Sequence, residues 1–374
     1  MDICDALIVG GGPAGSTCAW KLREAGLEVM VVDAAVFPRD KVCAGWITPQ
    51  VITALDLDVE DYRRCRTFQP ITGFRVGLID GRKEVALGYG HPVSFGILRR
   101  EFDHYLLRRS GARVKAGTQV TTIRKDRGQW IINEAIRAPM LIGAGGHFCP
   151  VSRSLNGVAR GAPLVVAQEA EFPIDESEGA SLAIEGETPA LYFCRDLKGY
   201  GWCFRKGAYL NVGLGRLDRQ SLPRATADFI TFLRTKATIA GQRSQRWRGH
   251  AYSLYDSPHR RVVDDGVMLV GDAAGLAYPE SGEGIRPAVE SGRLAAATII
   301  EAGGQYSRSR LKPYDERLQA RFGSESLLAG LSGIVPGFVG LAVARRLLET
   351  HTFVRSVVLD RWFLHKREPS LDAV

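Results

Sequence analysis

The run Asp5-Ala-Leu-Ile-Val-Gly10-Gly11-Gly12-Pro13-Ala14-Gly15 constrains this chain more than any other stretch. A short apolar segment enters the glycines and leaves into a helical stretch reaching about Glu24, and a second apolar run, Val29 to Val32, ends at Asp33. Strand, glycine turn, helix and strand in such quick succession form a β-α-β unit, the first crossover of a parallel sheet. Gly10 permits the tight bend, Gly12 lets the backbone approach a pyrophosphate, and Gly15 lets the helix pack close to the strand. Pro13 and Ala14 open that helix, whose free N–H groups and positive end face the phosphates. Asp33, with Ala34 beside it, stands where a carboxylate accepts hydrogen bonds from both ribose hydroxyls.

Composition enlarges the frame. The chain has 374 residues, 45% of them hydrophobic and 24% charged, enough for a large core divided between lobes. Its net charge of +8 is spread along the whole length, which favours anionic ligands or a membrane surface over nucleic acid. The 7 cysteines form no C-x-x-C pair and no apolar leader precedes the first strand, so a reduced, cytoplasmic compartment is expected.

Further strands are expected at Phe74 to Ile79, Gln119 to Ile123, Trp130 to Asn133, Met140 to Ile142, Val165 to Phe172, Leu182 to Ile184, Trp202 to Arg205, Tyr209 to Leu214 and Val267 to Val270. Many are neighbours joined by short turns, so an antiparallel sheet should stand beside the parallel one. Phe102 to Arg109 and the Ala-rich Gly284 to Ala302 read as helices. In Val267-Met-Leu-Val-Gly-Asp-Ala-Ala-Gly275, a buried strand ends at Gly271-Asp272, a position from which Asp272 can bind a polyol chain. Downstream, Gly282 and Gly284 expose backbone N–H groups at the head of the Ala-rich helix, whose positive end can stabilise a reduced, anionic isoalloxazine ring.

With these segments in place, the chain resembles the flavoprotein family of p-hydroxybenzoate hydroxylase fold, and within it the geranylgeranyl reductase branch. The resemblance covers nearly the whole chain. Arg99-Arg-Glu-Phe102-Asp103 matches the family's R-x-x-F-D, and Pro38-Arg-Asp-Lys41-Val-Cys43-Ala44-Gly45 looks like the branch's P-x-x-K-x-C-G-G with Ala44 for one glycine. Tyr200-Gly-Trp202-Cys-Phe204-Arg205 looks like its Y-x-W-x-F-P, with Arg205 where proline is usual, and Ser281-Gly-Glu-Gly-Ile285 is the third match.

The resemblance implies an α/β fold: a Rossmann-like FAD-binding domain, a discontinuous antiparallel-sheet substrate domain and a C-terminal helical segment. Residues 1–70, 95–160 and 255–305 would make the first, 71–94 and 161–254 the second, and 306–374 the third. It implies that Gly10 to Gly15 and Asp33 hold the ADP part of FAD and that the Val120 backbone meets adenine. Arg99 would lie near the ribityl or phosphate region, Gly271 and Asp272 at the ribityl chain, and Gly282, Glu283, Gly284 and Ile285 along the ring. Lys41, Cys43 and Ala44 join this cofactor-binding set by their motif. The family's intermediate G-A-D-G stands here as Gly143-Ala144-Gly145-Gly146, so its carboxylate is absent. That moves the expected electron source from directly bound NADPH towards another donor, with NADPH, NADH and reduced ferredoxin all open.

Candidate catalytic residues are Cys43, Tyr200 and Trp202, at the expected substrate cavity. For Cys43 a small buried core residue is an equal alternative, and the two aromatics could simply pack one sheet against the flavin domain. No histidine or carboxylate pattern completes a metal set, so no metal is expected. Arginine pairs at 63–64, 108–109, 260–261 and 345–346 read as solvated faces. The uncharged run Ser326 to Ala344 is long enough to cross a bilayer but is broken by glycines and Pro336; two short helices walling a lipid-sized tunnel, or touching a membrane through Arg345 and Arg346, are expected instead.

The function expected is an FAD-dependent oxidoreductase that reduces C=C bonds of an apolar, isoprenoid-like substrate. Expected partners are that lipid or apolar substrate, an electron-donor protein and a peripheral membrane contact, without nucleic acid. Two rivals remain: an FAD-dependent hydroxylase of an apolar or aromatic substrate, and a non-catalytic flavin and lipid carrier. The halogenase motif W-x-W-x-I-P does not occur.

Overall fold

The computed structural model describes residues 1–157, 164–236, 238–239, 246–254, 260–323 and 337–371. Three apolar strands, Ala6–Val9, Val29–Val32 and Met140–Gly143, are buried at every residue, so both faces of their sheet must be covered. They form the centre of a six-stranded sheet in the order Val263–Asp264, Val267–Leu269, Met140–Gly143, Ala6–Val9, Val29–Val32, Arg113–Lys115. All its pairings are parallel except the first. Fully buried side chains such as Leu7, Ile8 and Val31 contribute about 1.5–3 kcal/mol each to holding this layer.

The helix Pro13–Glu24 crosses between the first two strands and packs on the helix Ile285–Glu301. That packing needs Gly292, where an added Cβ would overlap the Ala14 carbonyl oxygen.

The second sheet has seven strands: Arg248–Ser253, Leu164–Pro173, Tyr209–Arg216, Gly199–Lys206, Ala190–Phe193, Gly73–Leu78 and Glu84–Gly88. It is antiparallel apart from the pairing of Ala190–Phe193 with Gly73–Leu78. Alternation along these strands turns Ala167, Glu169 and Glu171, Tyr200, Trp202 and Lys206, Asn211, and His250 and Tyr252 to one face. The register sets Ala167 beside His250 and Gly215, and Gly215 beside Tyr200; one row on, Trp202 pairs with Gly213. An added Cβ at Gly213 would overlap the indole, so glycine there is what lets the Trp202 ring lie across the neighbouring strand.

Two expected strands are absent. Residues 119–122 do not join a ladder, because Asn133 Oδ1 accepts the Thr121 and Thr122 amides at 2.8 and 3.2 Å; the strand is Ile123–Asp126. Residues 182–184 follow the short helix Glu176–Ser181 without strand pairing, and the Ala183 carbonyl accepts from Arg75 at 2.6 Å.

Of the run from Ser326 to Ala344, residues up to Pro336 lie outside the described residues, and the helix Gly337–Leu347 accounts for the rest. Arg345 is half-buried and donates to the Arg195 carbonyl at 2.7 Å near the surface, whereas Arg346, Val343 and Leu347 are exposed. Among the described residues no helix is long and apolar enough to cross a membrane.

The π-helical segment Val354–Phe363 then brings Phe363 against Trp46 and Tyr200, with ring centroids 5.7 and 5.1 Å apart. Just beyond it, the carbonyls of His365, Glu368 and Pro369 accept hydrogen bonds from the Arg286 guanidinium at 3.0, 2.7 and 3.2 Å.

Candidate functional site

One cleft of about 690 Å³ runs between the two sheets. The glycine turn forms its first wall. Gly10 has φ +116°, and an added Cβ would overlap the Ala144 carbonyl, so both its conformation and its neighbour demand glycine. At Gly15 a Cβ would overlap the Gly10 carbonyl; strand and helix touch backbone to backbone there. Gly12 differs, because a Cβ would find only the Arg39 guanidinium at 3.5 Å and would project into open cleft.

Gly12 caps the Pro13–Glu24 helix without a side-chain hydrogen bond, so first-turn amides are left for another acceptor. Asp33 Oδ2 accepts from the Gly11 amide at 2.7 Å and Oδ1 from the Ala35 amide at 2.8 Å. Each carboxylate oxygen retains a second lone pair for a ligand hydroxyl.

The Ile285–Glu301 helix likewise starts from a glycine, Gly284, with no side-chain cap from that residue. Glu283 Oε1 instead takes the Arg286 amide at 2.7 Å, while its buried Oε2 meets no hydrogen-bond partner among the described residues. Burial pushes the Glu283 carboxyl above its ordinary value, with His365 acting in the opposite sense. Gly282 has φ +67° and lies under the Tyr252 hydroxyl, with no room for a Cβ.

Between the two helix ends lies a row of charge. Arg99 donates to both oxygens of the fully buried Asp103 at 2.8 Å, and Arg39 approaches the same carboxylate at 3.1 Å. The Lys41 ammonium donates to His250 Nε2 at 2.6 Å, and His250 stands 3.9 Å from Asp272. Burial lowers the pKa of both Lys41 and His250. Burial alone would raise Asp272, but the neighbouring His250 and the Lys41 charge hold its carboxyl below the usual range.

The far end of the cleft is apolar and aromatic, bounded by Trp46, Phe193, Leu197, Tyr200 and Trp202. Tyr200 is spoken for on its polar side, since its hydroxyl donates to the Ser281 carbonyl, and burial keeps its phenol protonated well past the ordinary range. The indole N–H of Trp202 donates to Asn211 Oδ1 at 2.6 Å. Cys43 lines the same region; its Sγ accepts the Gly45 amide at 3.4 Å, and its own amide donates to Glu169. Burial is the main cause that pushes the Glu169 carboxyl up to about 8, the Lys206 charge opposing it.

Of the candidate cofactor-binding and catalytic residues expected from the sequence, all line this cleft except Gly11, Gly15 and Gly271. Gly15 serves the close packing just described, and Gly271, at φ +58°, turns the chain so that Asp272 faces the cleft. Lys41, Ala44, Val120, Ala144 and Gly145 all contribute to the lining.

Sequence reading missed His250, Tyr252, Glu169, Glu171, Lys206 and Asn211. Their common signal is alternation: each occupies the cleft-side position of its strand, a pattern that reveals a face only once the register is known. Among the described residues no three His, Cys, Asp or Glu side chains gather as metal ligands, and all 7 cysteines are free.

The site fits a dinucleotide of the flavin type: two glycine-started helices open onto one cleft, Gly12 leaves the room that a phosphate needs, and an unpaired carboxylate oxygen waits at the second helix. The fold and this cleft define a flavoprotein oxidoreductase. A family model for the FAD binding domain matches residues 3–323. The chain belongs to that family, as a geranylgeranyl reductase-like, FAD-dependent oxidoreductase of the p-hydroxybenzoate hydroxylase fold.

It is 33% identical over 340 residues to a geranylgeranyl diphosphate reductase of Rhodobacter capsulatus, covering 84% of this chain and 78% of the relative. It is 28% identical to a menaquinone reductase of Mycobacterium tuberculosis, covering 95% and 85%. Among solved structures, a geranylgeranyl bacteriochlorophyll reductase-like protein from Thermoplasma acidophilum superposes with a TM-score of 0.77 at 20% identity, covering 98% of each chain. A flavin-dependent brominase shares the fold with a TM-score of 0.73 at 19% identity, covering 97% and 92%.

Proposed function

We propose that this chain reduces C=C bonds in an apolar, isoprenoid-like substrate. The observation that carries the reading is that one cleft holds both ends: the polar end, between two glycine-started helices, and the aromatic end around Tyr200 and Trp202 line the same cavity. The names of the relatives, a geranylgeranyl diphosphate reductase and a menaquinone reductase, support the same substrate class, because both names denote molecules with isoprenoid chains.

In this reading the Pro13 helix end, Arg39 and Arg99 receive the pyrophosphate, Asp33 the ribose, the Val120 backbone the adenine and Asp272 the ribityl chain. Gly282, Glu283, Gly284 and Ile285 lie along the ring, with Lys41, Cys43, Ala44, Ala144 and Gly145 completing the cofactor's surroundings. FAD, once bound and reduced, supplies a hydride. The chain's own part is to hold an alkene against that position: Trp46, Phe193, Tyr200 and Trp202 exclude water and orient the apolar chain, which matters because an unactivated alkene is a poor hydride acceptor and close placement must supply much of the rate.

The same reading assigns 1–70, 95–160 and 255–305 to the cofactor, 71–94 and 161–254 to the substrate and 306–374 to the C-terminal segment. It gives the electron supply to NADPH, NADH or reduced ferredoxin, and it sets the protein in the cytoplasm with Arg346, Val343 and Leu347 available to a membrane surface.

The test is anaerobic. Enzyme reduced with one equivalent of dithionite is mixed with geranylgeranyl diphosphate, whose only reducible groups are its C=C bonds, and flavin absorbance and product mass are followed. Re-oxidation coupled to a gain of two hydrogens supports the reading. Product formation only with O₂, with one oxygen added, overturns it in favour of a hydroxylase.

A further inference from the structure

Cys43–Gly45 and Trp202 belong to separate stretches of sequence, yet they meet at the aromatic end of the cleft. Asn211, which lies in neither motif, joins them. Its Oδ1 accepts the Trp202 indole N–H at 2.6 Å, and its Nδ2 donates to the Cys43 carbonyl at 3.3 Å and to Glu171 Oε1 at 2.9 Å. Both amide hydrogens are thereby used, and the side chain is fully buried.

Lys206 completes the arrangement. Its fully buried ammonium donates to the carbonyls of Ala44 at 3.1 Å and Ile97 at 3.0 Å and pairs with Glu171, which occupies the three hydrogens that such a group carries. Glu169 accepts the Cys43 amide from the neighbouring position of the same strand. The Cys43 peptide is therefore gripped at its N–H and its C=O, and the next residue at its C=O, by side chains from three strands of one sheet.

Stability alone is a poor reason for such a set. Burying an ammonium such as that of Lys206 costs several kcal/mol, and well-packed apolar residues of similar volume are often as stable. What the polar set offers over an apolar one is directional contact with backbone atoms of the cleft wall.

We propose that Asn211, with Lys206 and Glu171, is the positioning element of the substrate end: it fixes the Cys43–Gly45 turn against the Trp202 ring and so sets the cleft width available to the apolar chain. This rests on the reading of that end as the substrate site. Asn211 acts through the groups it holds.

The test uses N211L and the double variant K206M/E171L, which exchanges the buried ammonium and its half-buried carboxylate partner for apolar side chains of similar size, both in a C65S background that removes the exposed thiol. Full-length protein is titrated with FAD, and alkylation of Cys43 by N-ethylmaleimide is timed by peptide mass spectrometry. Freeing the turn should raise the alkylation rate by about tenfold, and because Cys43 and Ala44 also border the cofactor, the FAD titration sets the concentration at which each variant is saturated for the kinetics. In single-turnover oxidation of reduced enzyme by geranylgeranyl diphosphate, the rate at saturation should fall by about 10- to 100-fold, with the half-saturating concentration moved by less than about threefold.

An unchanged alkylation rate in the folded variants overturns the proposal, as does a loss confined to the half-saturating concentration. If N211L does not fold, the double variant decides. Should wild-type enzyme fail to react with the probe, the functional reading falls by itself, and Cys43 alkylation still decides the positioning role.

Discussion

Tyr200 donates its phenolic hydrogen bond to the Ser281 carbonyl, so a strand of the second sheet holds the glycine turn from which the Ile285–Glu301 helix starts. The aromatic end of the cleft and the wall expected at the flavin ring thus share one contact. Y200F keeps the ring but leaves that carbonyl unpaired. A stability loss of about 1–2 kcal/mol is expected in urea unfolding, together with FAD affinity weakened by about 3- to 10-fold in a fluorescence titration. Unaltered FAD affinity would mean that the turn keeps its shape without the strand.

The glycines at 12 and 15 should separate binding from folding. G12A adds a methyl that meets only the Arg39 guanidinium, at 3.5 Å, so the apoprotein should melt like wild type while FAD binding falls by at least about tenfold. G15A drives a methyl into the Gly10 carbonyl, and the apoprotein itself should lose about 1–3 kcal/mol. Equal melting temperatures for the two apoproteins would contradict this division.

Asp103 neutralises Arg99 inside the protein. D103A removes both of the 2.8 Å hydrogen bonds and leaves a buried guanidinium without its carboxylate, for an expected cost of about 3–5 kcal/mol. Removing charge and partner together in R99M/D103L should recover most of that stability without recovering FAD affinity. Chemical denaturation and cofactor titration of the two variants check both halves of the expectation.

Glu169 supplies a pH dependence whose sign is fixed. Its carboxyl is raised in the fold from the ordinary 4.5 to about 8, mainly by burial, with Lys206 and Arg99 opposing and Glu171 reinforcing the shift. A raised folded value means that the unfolded chain releases the proton first. The stability contribution is therefore complete below about pH 4.5 and is lost as pH climbs through about 8. E169Q keeps an acceptor for the Cys43 amide but cannot titrate, so the fall in wild-type stability across this window should flatten in the variant. Parallel slopes in pH-resolved unfolding would assign the wild-type fall to other groups.

The β-α-β unit was legible because each of its parts is dictated by short-range chemistry: apolar runs long enough for buried strands, glycines at 10 and 15 where a Cβ has no room, and Asp33 at the strand end. The Gly271-Asp272 corner and the Ala-rich helix could be read for the same reason. Strand edges were less secure. Residues 119–122 have a strand-like composition, but Asn133 takes two of their amides, a competition between residues distant in sequence that no local pattern announces. Glu169, Lys206 and Asn211 were illegible for a related reason. Each is an unremarkable polar residue on an alternating strand, and only the register of three strands brings them behind Cys43.

Arg286 lies in the first turn of the Ile285–Glu301 helix and is clasped by the carbonyls of 365, 368 and 369, immediately after Phe363 has packed against Tyr200 and Trp46. A shift at either end of the cleft is thus felt by the same few residues. Reciprocity then follows from thermodynamics: whatever factor an apolar guest adds to the hold on FAD, FAD must add to the hold on the guest, and the two ligands report on each other even where they never touch.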